Sequence, residues 1–333
     1  MSPPTGSYRG RYAPTPSGPL HEGNLRTALL AWLLARSARG AFILRLDDLD
    51  APRVKAGAAN QVLADLAWLG LDWDEGPDRG GPYALYTQSG RRAEYDAAIA
   101  ALERQGCVYP CYCSRADIAR APDAPHAGDE GTRYPGTCRD PSSRAVQERR
   151  AGRRPPALRL RVPPGVVGFV DELYGPMAQD VEAVVGDIVI RRGDGTPSYQ
   201  LAVAIDDAAM RITNVVRGAD LLASTPRQLV LHRLLGLSPP RYLHLPLAVD
   251  ASGERLAKRQ GRGGLDALRD AGLTPPHVVG ALAASVGLVA RGAELGVHDL
   301  LETFDPSLLA RAPSRIVWPT HEKRGPAARD GED

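Results

Sequence analysis

Nothing in this sequence is apolar for long enough to form a membrane span: the longest uninterrupted apolar stretch, Ala28 to Ala35, is eight residues, where a transmembrane helix needs about 20. No basic start followed by an apolar run marks a secretory signal, so a soluble, cytoplasmic protein is expected. Cysteine is scarce. The four present (Cys107, Cys111, Cys113 and Cys138) fall within 32 residues of a 333-residue chain, which argues against a disulfide framework and for a local metal knuckle in a reducing compartment. Charge of one sign is missing too: 41 Lys and Arg against 39 Asp and Glu leave +2, so any nucleic-acid site must come from local patterning. Glycine and proline, 35 and 29, exceed ordinary usage without reaching low-complexity levels, which excludes wholesale disorder. No internal repeat is visible, and the length suits two compact domains or one with an insertion.

The order of elements is strand, helix, strand, helix. Residues 8–13 (YRGRYA) read as a strand, PTPSGPLHEGN as a Pro/Gly-rich loop, and LRTALLAWLLARSARG as a helix closed by Gly40. AFILRL (41–46) reads as a buried parallel strand, and Gly57 to Leu69 carries helical spacing through Val62, Leu66 and Leu69. A further helix, Arg91 to Gln105, closes at Gly106. From there to about residue 190 the texture turns to cysteines, prolines, arginines and short alternating strands (ALRLRV, VVGFVDEL), the mark of an inserted module. Regular α/β pattern returns with DIVIRR, SYQLAVAIDD, ITNVVRG and a helix opened by Thr225 with Pro226 at its first position. RYLHLPLAV, the polar loop DASGERLAKRQGRGG, short helical segments and a polar tail complete the chain.

Two short elements carry chemistry only in combination. His21-Glu22-Gly23-Asn24 stands between a strand and a helix, where a helix N-terminus and small residues leave backbone N–H groups for an anion. RLAKR (255–259) is a basic loop. With RLDDLD and VRGADL between them, RYAPTPSGPLHEGN and RLAKR resemble, in order and separation, the paired HIGH-like and KMSKS-like signatures of class I aminoacyl-tRNA synthetases of the glutamyl type. The resemblance covers roughly residues 8 to 260. Within that family the sequence looks most like the shortened paralogues that load glutamate onto the queuosine base at the wobble position of tRNA(Asp). Only 75 residues follow Lys258, room for a small helical module but not for the separate anticodon-binding region of a full glutamyl-tRNA synthetase.

The resemblance implies a Rossmann-like α/β fold, with a parallel-sheet nucleotide-binding domain, an inserted zinc-containing module and a small C-terminal helical module. The expected divisions are residues 1–105 and 187–238 for the two halves of the catalytic domain, 106–186 for the zinc-knuckle module, 239–312 for the KMSKS-like loop and helical module, and 313–333 for a flexible tail. It also implies the reaction: ATP and L-glutamate form glutamyl adenylate without tRNA, and the acyl group passes to queuosine-containing tRNA(Asp), in a monomer with no membrane partner. His21 and Lys258 are the expected catalytic residues. Gly23, Asn24, Arg255, Leu256, Ala257 and Arg259 join them around ATP, whose phosphates bring Mg²⁺; Arg255 and Ala257 replace the signature's first Lys and its Ser. For glutamate, Arg11 and Arg217 match the family's carboxylate-binding arginines, whose fork geometry suits a carboxylate. Tyr12, Ala13, Pro14, Thr15, Ser17, Asp47 and Tyr199 complete that pocket. Asp47 stands where the family has Glu and is one methylene shorter, while strand alternation turns Asp48 to the opposite face.

Cys111, Cys113 and Cys138 supply three soft ligands that a tetrahedral Zn²⁺ can close with one more group. The resemblance points to Tyr134 as the fourth, four residues before the last cysteine; Cys107 or His126 is the more ordinary choice on chemistry alone. One structural zinc per chain is expected, since adenylation has no use for a metal-bound hydroxide. Between Arg133 and Arg161, nine arginines face two acids, Asp140 and Glu148, a density able to track a phosphate backbone. Two other readings stay open: a minimal glutamyl-tRNA synthetase that charges the 3′ end, and a non-catalytic RNA-binding paralogue.

Overall fold

A computed structural model describes residues 8–119, 133–140, 142, 144–151, 155–249, 264–309, 311 and 314–317. The first third of the chain alternates as its periodicity predicts: β1 (Arg9–Tyr12), α1 (Glu22–Ser37), β2 (Ala41–Leu44), α2 (Ala58–Trp68) and α3 (Arg92–Arg104). There follow β3 (Val108–Cys111), α4 (Arg115–Ala119), α5 (Arg144–Ala151), β4 (Ala157–Leu160), β5 (Val166–Asp171), β6 (Gly175–Asp180), α6 (Val181–Val184) and β7 (Ile188–Arg191). The chain then runs through α7 (Tyr199–Ala209), β8 (Asn214–Gly218), α8 (Ser224–Leu235), β9 (Arg241–Leu245) and β10 (Ala248–Val249). Helices α9 (Gly264–Asp270), α10 (Pro275–Ala284) and α11 (Val297–Glu302) and strand β11 (Ser314–Arg315) complete the described residues.

A six-stranded sheet in the order β2-β1-β8-β9-β5-β6 is parallel throughout except for the edge hairpin β5–β6. Helix α1 is buried almost all round because β1, β2 and β8 cover one side and α10 and α11 the other. Its end departs from the expected glycine stop. Arg39 takes the left-handed conformation (φ 50), and Gly40 follows because a Cβ there would lie 2.3 Å from the Tyr8 carbonyl oxygen. At α2 the glycines do fall where the spacing put them, with Gly57 (φ 77) and Gly70 (φ 82) flanking the helix.

The sheets cross the expected module boundary. Hairpin β5–β6, expected in the inserted module, extends the main sheet, whereas β7, expected in the second catalytic half, completes the small antiparallel sheet β3-β4-β7. Alternating strand texture cannot tell which sheet a strand joins, since pairing is decided by tertiary register. The tail expected from residue 313 is partly structured: β11 pairs in parallel with β10, Ile316 is buried, and Arg26 donates to Ser314 Oγ at 2.5 Å and to the Pro246 carbonyl. Among the described residues no helix is long and apolar enough to cross a membrane.

Candidate active site

The strand order reverses between β1 and β8, and a crevice opens there beyond the carboxyl ends of the strands, where doubly wound sheets bind ligands. This cleft of about 630 Å³ gathers every described candidate for glutamate and ATP: Arg11, Tyr12, Ala13, Pro14, Thr15, Ser17, His21, Gly23, Asn24, Asp47, Tyr199 and Arg217. Arg255, Leu256, Ala257, Lys258 and Arg259 lie outside the described residues. Thus the candidates from Arg11 to Asp47 meet Tyr199 and Arg217, more than 150 residues further along the chain, because parallel pairing aligns Arg11 with Val215.

On the anion side, His21 is the N-cap of α1, and its Nδ1 accepts from the Asn24 backbone N–H at 3.4 Å. A neutral ring with Nδ1 in that role carries its proton on Nε2. Gly23 makes room: a Cβ there would meet His21 Cε1 at 3.2 Å. The spacing of H-x-G-N is therefore the spacing of a helix cap, with the ring, the glycine and the donor each in place.

On the amino-acid side two buried arginines reach the cleft, held differently. Arg11 Nε donates to Asp207 Oδ1 at 3.2 Å and Nη1 to the Val216 carbonyl at 3.3 Å. Arg217 donates from Nε to His244 Nε2 (3.0 Å), from Nη1 to Gln228 Oε1 (2.9 Å) and from Nη2 to Thr225 Oγ1 (2.8 Å). Asp47 accepts from Arg45 Nε at 2.8 Å. Burial, reinforced by Asp206 and Asp207 against the pull of Arg45, pushes the Asp47 carboxyl up to about 6. Burial acts on Asp207 too, but Arg11 and Arg45 outweigh it and hold that carboxyl down to about 2. Asp48 faces away, taking hydrogen bonds from Ser89 N (2.7 Å) and Oγ (2.6 Å).

The layer behind these residues escaped the sequence reading. Arg45, Asp206, Asp207, Gln228 and His244 touch the recognition residues or their partners from the interior. A signal existed for the acids, since Asp206 and Asp207 end the otherwise apolar run of α7, where unpaired charge is costly. Thr225 was expected to open a helix. Instead α8 starts at Ser224 after Ala223, and the Thr225 hydroxyl serves Arg217.

The sulfurs of Cys111, Cys113 and Cys138 lie within 4.8 Å of one another. A tetrahedral zinc at about 2.3 Å from each would set them about 3.8 Å apart, so the donor set fits the metal in kind and span. Tyr134 Oη is 3.5 Å from Cys111 Sγ and accepts from the Cys138 backbone N–H at 2.7 Å. Cys107 stands apart, its Sγ facing the Gln105 carbonyl, and His126 lies outside the described residues. A second cavity of about 1040 Å³ runs from this cluster to the first cleft, sharing Thr15, Asp47, Arg53 and Tyr199 with it. The arginine run is not a uniform basic surface. Arg133 pairs with Glu182 at 3.4 Å, Arg139 with Asp187 at 3.2 Å and Arg144 with Glu148 at 2.7 Å. Arg159 is buried with its guanidinium 3.7 Å over the Tyr134 ring. Arg153 and Arg154 lie outside the described residues.

A doubly wound sheet with a capped helix N-terminus, two buried arginines and an acid lining the cleft at its switch point is an arrangement able to hold an anion beside a small zwitterion. The chain belongs to the class I tRNA synthetase family: the model described as "tRNA synthetases class I (E and Q), catalytic domain" matches residues 7–293. It is thereby a ligase of the aminoacyl-tRNA synthetase class. It is 50% identical over 281 residues to the glutamyl-Q tRNA(Asp) synthetase of Nitratidesulfovibrio vulgaris, covering 84% of this chain and 87% of that one. Identity to the protein of the same name from Symbiobacterium thermophilum is 49% over 308 residues, covering 92% and 95%. The crystal structure of a glutamate tRNA ligase from Elizabethkingia meningosepticum in complex with its amino acid superposes with a TM-score of 0.79 at 28% identity, over 94% of this chain and 68% of that one.

Proposed function

We propose that this enzyme activates L-glutamate with ATP and transfers it to the queuosine base of tRNA(Asp). The acceptor rests on one observation, the identity of about half over nearly full length to two proteins named for that reaction. In the first step the α-carboxylate attacks the α-phosphorus in line and pyrophosphate leaves. Catalysis is then mainly positioning and neutralisation of developing charge, with no side-chain nucleophile. Arg11 and Arg217 bind the carboxylates of glutamate, Arg217 the γ-carboxylate, and ionised Asp47 faces the ammonium group. His21 Nε2–H, the N-terminus of α1 and Lys258 meet the phosphates, with Mg²⁺ as the phosphates' counterion. In the second step a hydroxyl of the queuosine base, reaching the cleft through the cavity that adjoins it, attacks the adenylate carbonyl. An ester forms, and AMP leaves.

Zinc held by Cys111, Cys113, Cys138 and Tyr134 supplies structure to the module beside that cavity. Because Arg11 and Arg217 are already fixed by interior partners, glutamate activation needs no RNA to assemble the pocket. ATP–pyrophosphate exchange tests this: exchange is expected with glutamate and ATP alone, and exchange that starts only on adding tRNA would contradict it.

A further inference from the structure

Arg217, His244 and Asp171 lie on three adjacent parallel strands, β8, β9 and β5, with Asp171 at the end of β5 beside Tyr242, two residues before His244. Arg217 and His244 are register partners, and the line of polar contacts runs across the sheet inside the protein. His244 is fully buried, and its Nδ1 is 2.6 Å from Asp171 Oδ2, which also accepts from the His244 backbone N–H at 3.1 Å. The other oxygen of Asp171 accepts from the backbone N–H groups of Leu173 and Tyr174 at 3.0 and 2.9 Å.

These contacts settle the imidazole tautomer. Arg217 Nε can only donate, so His244 Nε2 must offer its lone pair, and the proton sits on Nδ1 toward the carboxylate. Burial, helped by Arg217, also holds His244 below its ordinary value, so the neutral ring is the one present at neutral pH. The electrostatic consequence separates the two arginines of the cleft. Arg11 makes a direct ion pair with Asp207. Arg217 is clamped at all three nitrogens by uncharged groups, His244, Gln228 and Thr225, and the nearest acid of the line, Asp171, is one imidazole away. The guanidinium is thus fixed in direction while no carboxylate among the described residues bonds to it.

We propose that Asp171 and His244 are positioning residues that orient Arg217 without cancelling its charge, and that this spacer sets the preference for a carboxylate over an amide, hence for glutamate over glutamine. The inference rests on the reading that Arg217 receives the substrate's side-chain carboxylate. A charged Arg217 with no carboxylate bonded to it among the described residues gains most from an anion, whereas an amide leaves the buried charge without one. If Asp171 is made neutral, Nδ1–H loses its charged acceptor and Arg217 alone opposes the other tautomer, in which a proton on Nε2 turns a donor against Arg217.

The test is glutamate- and glutamine-dependent ATP–pyrophosphate exchange by Asp171→Asn, His244→Ala, His244→Gln and Arg217→Ala, with thermal melting to confirm folding. Asp171→Asn and His244→Ala are expected to raise glutamate KM about tenfold and to shrink the glutamate-to-glutamine ratio of kcat/KM by a similar factor, with kcat and the KM for ATP within about twofold of the parent. His244→Gln, whose amide oxygen can accept from Arg217 while its NH₂ faces Asp171, should recover glutamate KM to within about threefold. If His244→Ala does not fold, Asp171→Asn and His244→Gln carry the comparison. A loss confined to kcat, or an unchanged glutamate-to-glutamine ratio in Asp171→Asn while Arg217→Ala loses it, overturns the proposal. An unchanged glutamate KM in Arg217→Ala overturns instead the placement of glutamate on which it rests.

Discussion

Asp207 holds Arg11 in place from behind the cleft, its Oδ1 accepting from Arg11 Nε at 3.2 Å. The same oxygen accepts from Arg45 Nη1 at 2.7 Å, so one buried carboxylate serves two buried guanidiniums. Asp207→Asn keeps the shape but takes from Arg11 the acid it pairs with and leaves Arg45 with Asp47 and Asp206, a loss of about 3–5 kcal/mol of stability, measurable by chemical denaturation. The sign with pH follows from the depressed value. Its contribution is fully present above the unfolded value near 4 and is lost as pH falls toward about 2. The parent protein should therefore lose more stability than Asp207→Asn across that window. Equal acid sensitivity in the two would contradict the pairing.

Asp47 behaves in the opposite sense. Its folded value of about 6 lies above the unfolded one, so its contribution to stability declines as pH rises from about 4 to about 6. Function needs the ionised form to face the ammonium group. Glutamate KM should rise as pH falls through about 6, approaching tenfold per pH unit below it, and Asp47→Asn should show a high KM with no such rise. A flat profile in the parent protein would remove Asp47 from the ammonium site.

For the cysteine cluster, zinc near one per chain is expected in protein purified without chelator. Cys113→Ser should lower metal content and thermal midpoint together, because the binding free energy of a structural site is folding free energy. Elemental analysis finding no zinc in the parent protein would defeat the assignment.

Two glycines separate fold from chemistry. Gly40→Ala puts a Cβ 2.3 Å from the Tyr8 carbonyl oxygen, a backbone clash worth roughly 1–3 kcal/mol of stability or more, with turnover of the folded fraction unchanged. Gly23→Ala meets the movable ring of His21 at 3.2 Å instead. It should leave the melting temperature within a few degrees and cut turnover by about tenfold, since a shift of 1 Å at a catalytic group costs about 10²-fold. Turnover equal to the parent in Gly23→Ala would show that the His21 ring is not held for the phosphates.

Much of the site was readable because its residues are contiguous with strong local signals. The strand-loop-helix carrying Arg11 to Asn24 announces itself by periodicity and by glycine and proline punctuation, and all its candidates line the cleft. Asp47 follows β2 and Arg217 lies near the end of β8, apolar strands whose ends converge by parallel pairing. What stayed hidden was the support behind them. His244 sits inside an apolar strand, and its role comes from being abreast of Arg217 across the sheet, a relation that no spacing in one strand encodes. Thr225 offered a cap signal and was taken by a stronger demand, the third donor of a buried arginine. The swap of β5–β6 and β7 between sheets has the same origin, because strand texture fixes which face is apolar and not which neighbour completes the ladder.

The acceptor atom is the centre of the account, and label transfer to trimmed RNA tests it most directly. Tritiated glutamate, ATP and the enzyme are incubated with queuosine-containing tRNA(Asp) whose 3′-terminal adenosine has been removed, beside intact tRNA(Asp) and tRNA(Asp) lacking queuosine. The account predicts equal labelling of the trimmed and intact queuosine-containing RNAs and none of the RNA lacking queuosine. Labelling that disappears with the terminal adenosine and ignores queuosine would contradict it and assign the enzyme to ordinary charging of the 3′ end.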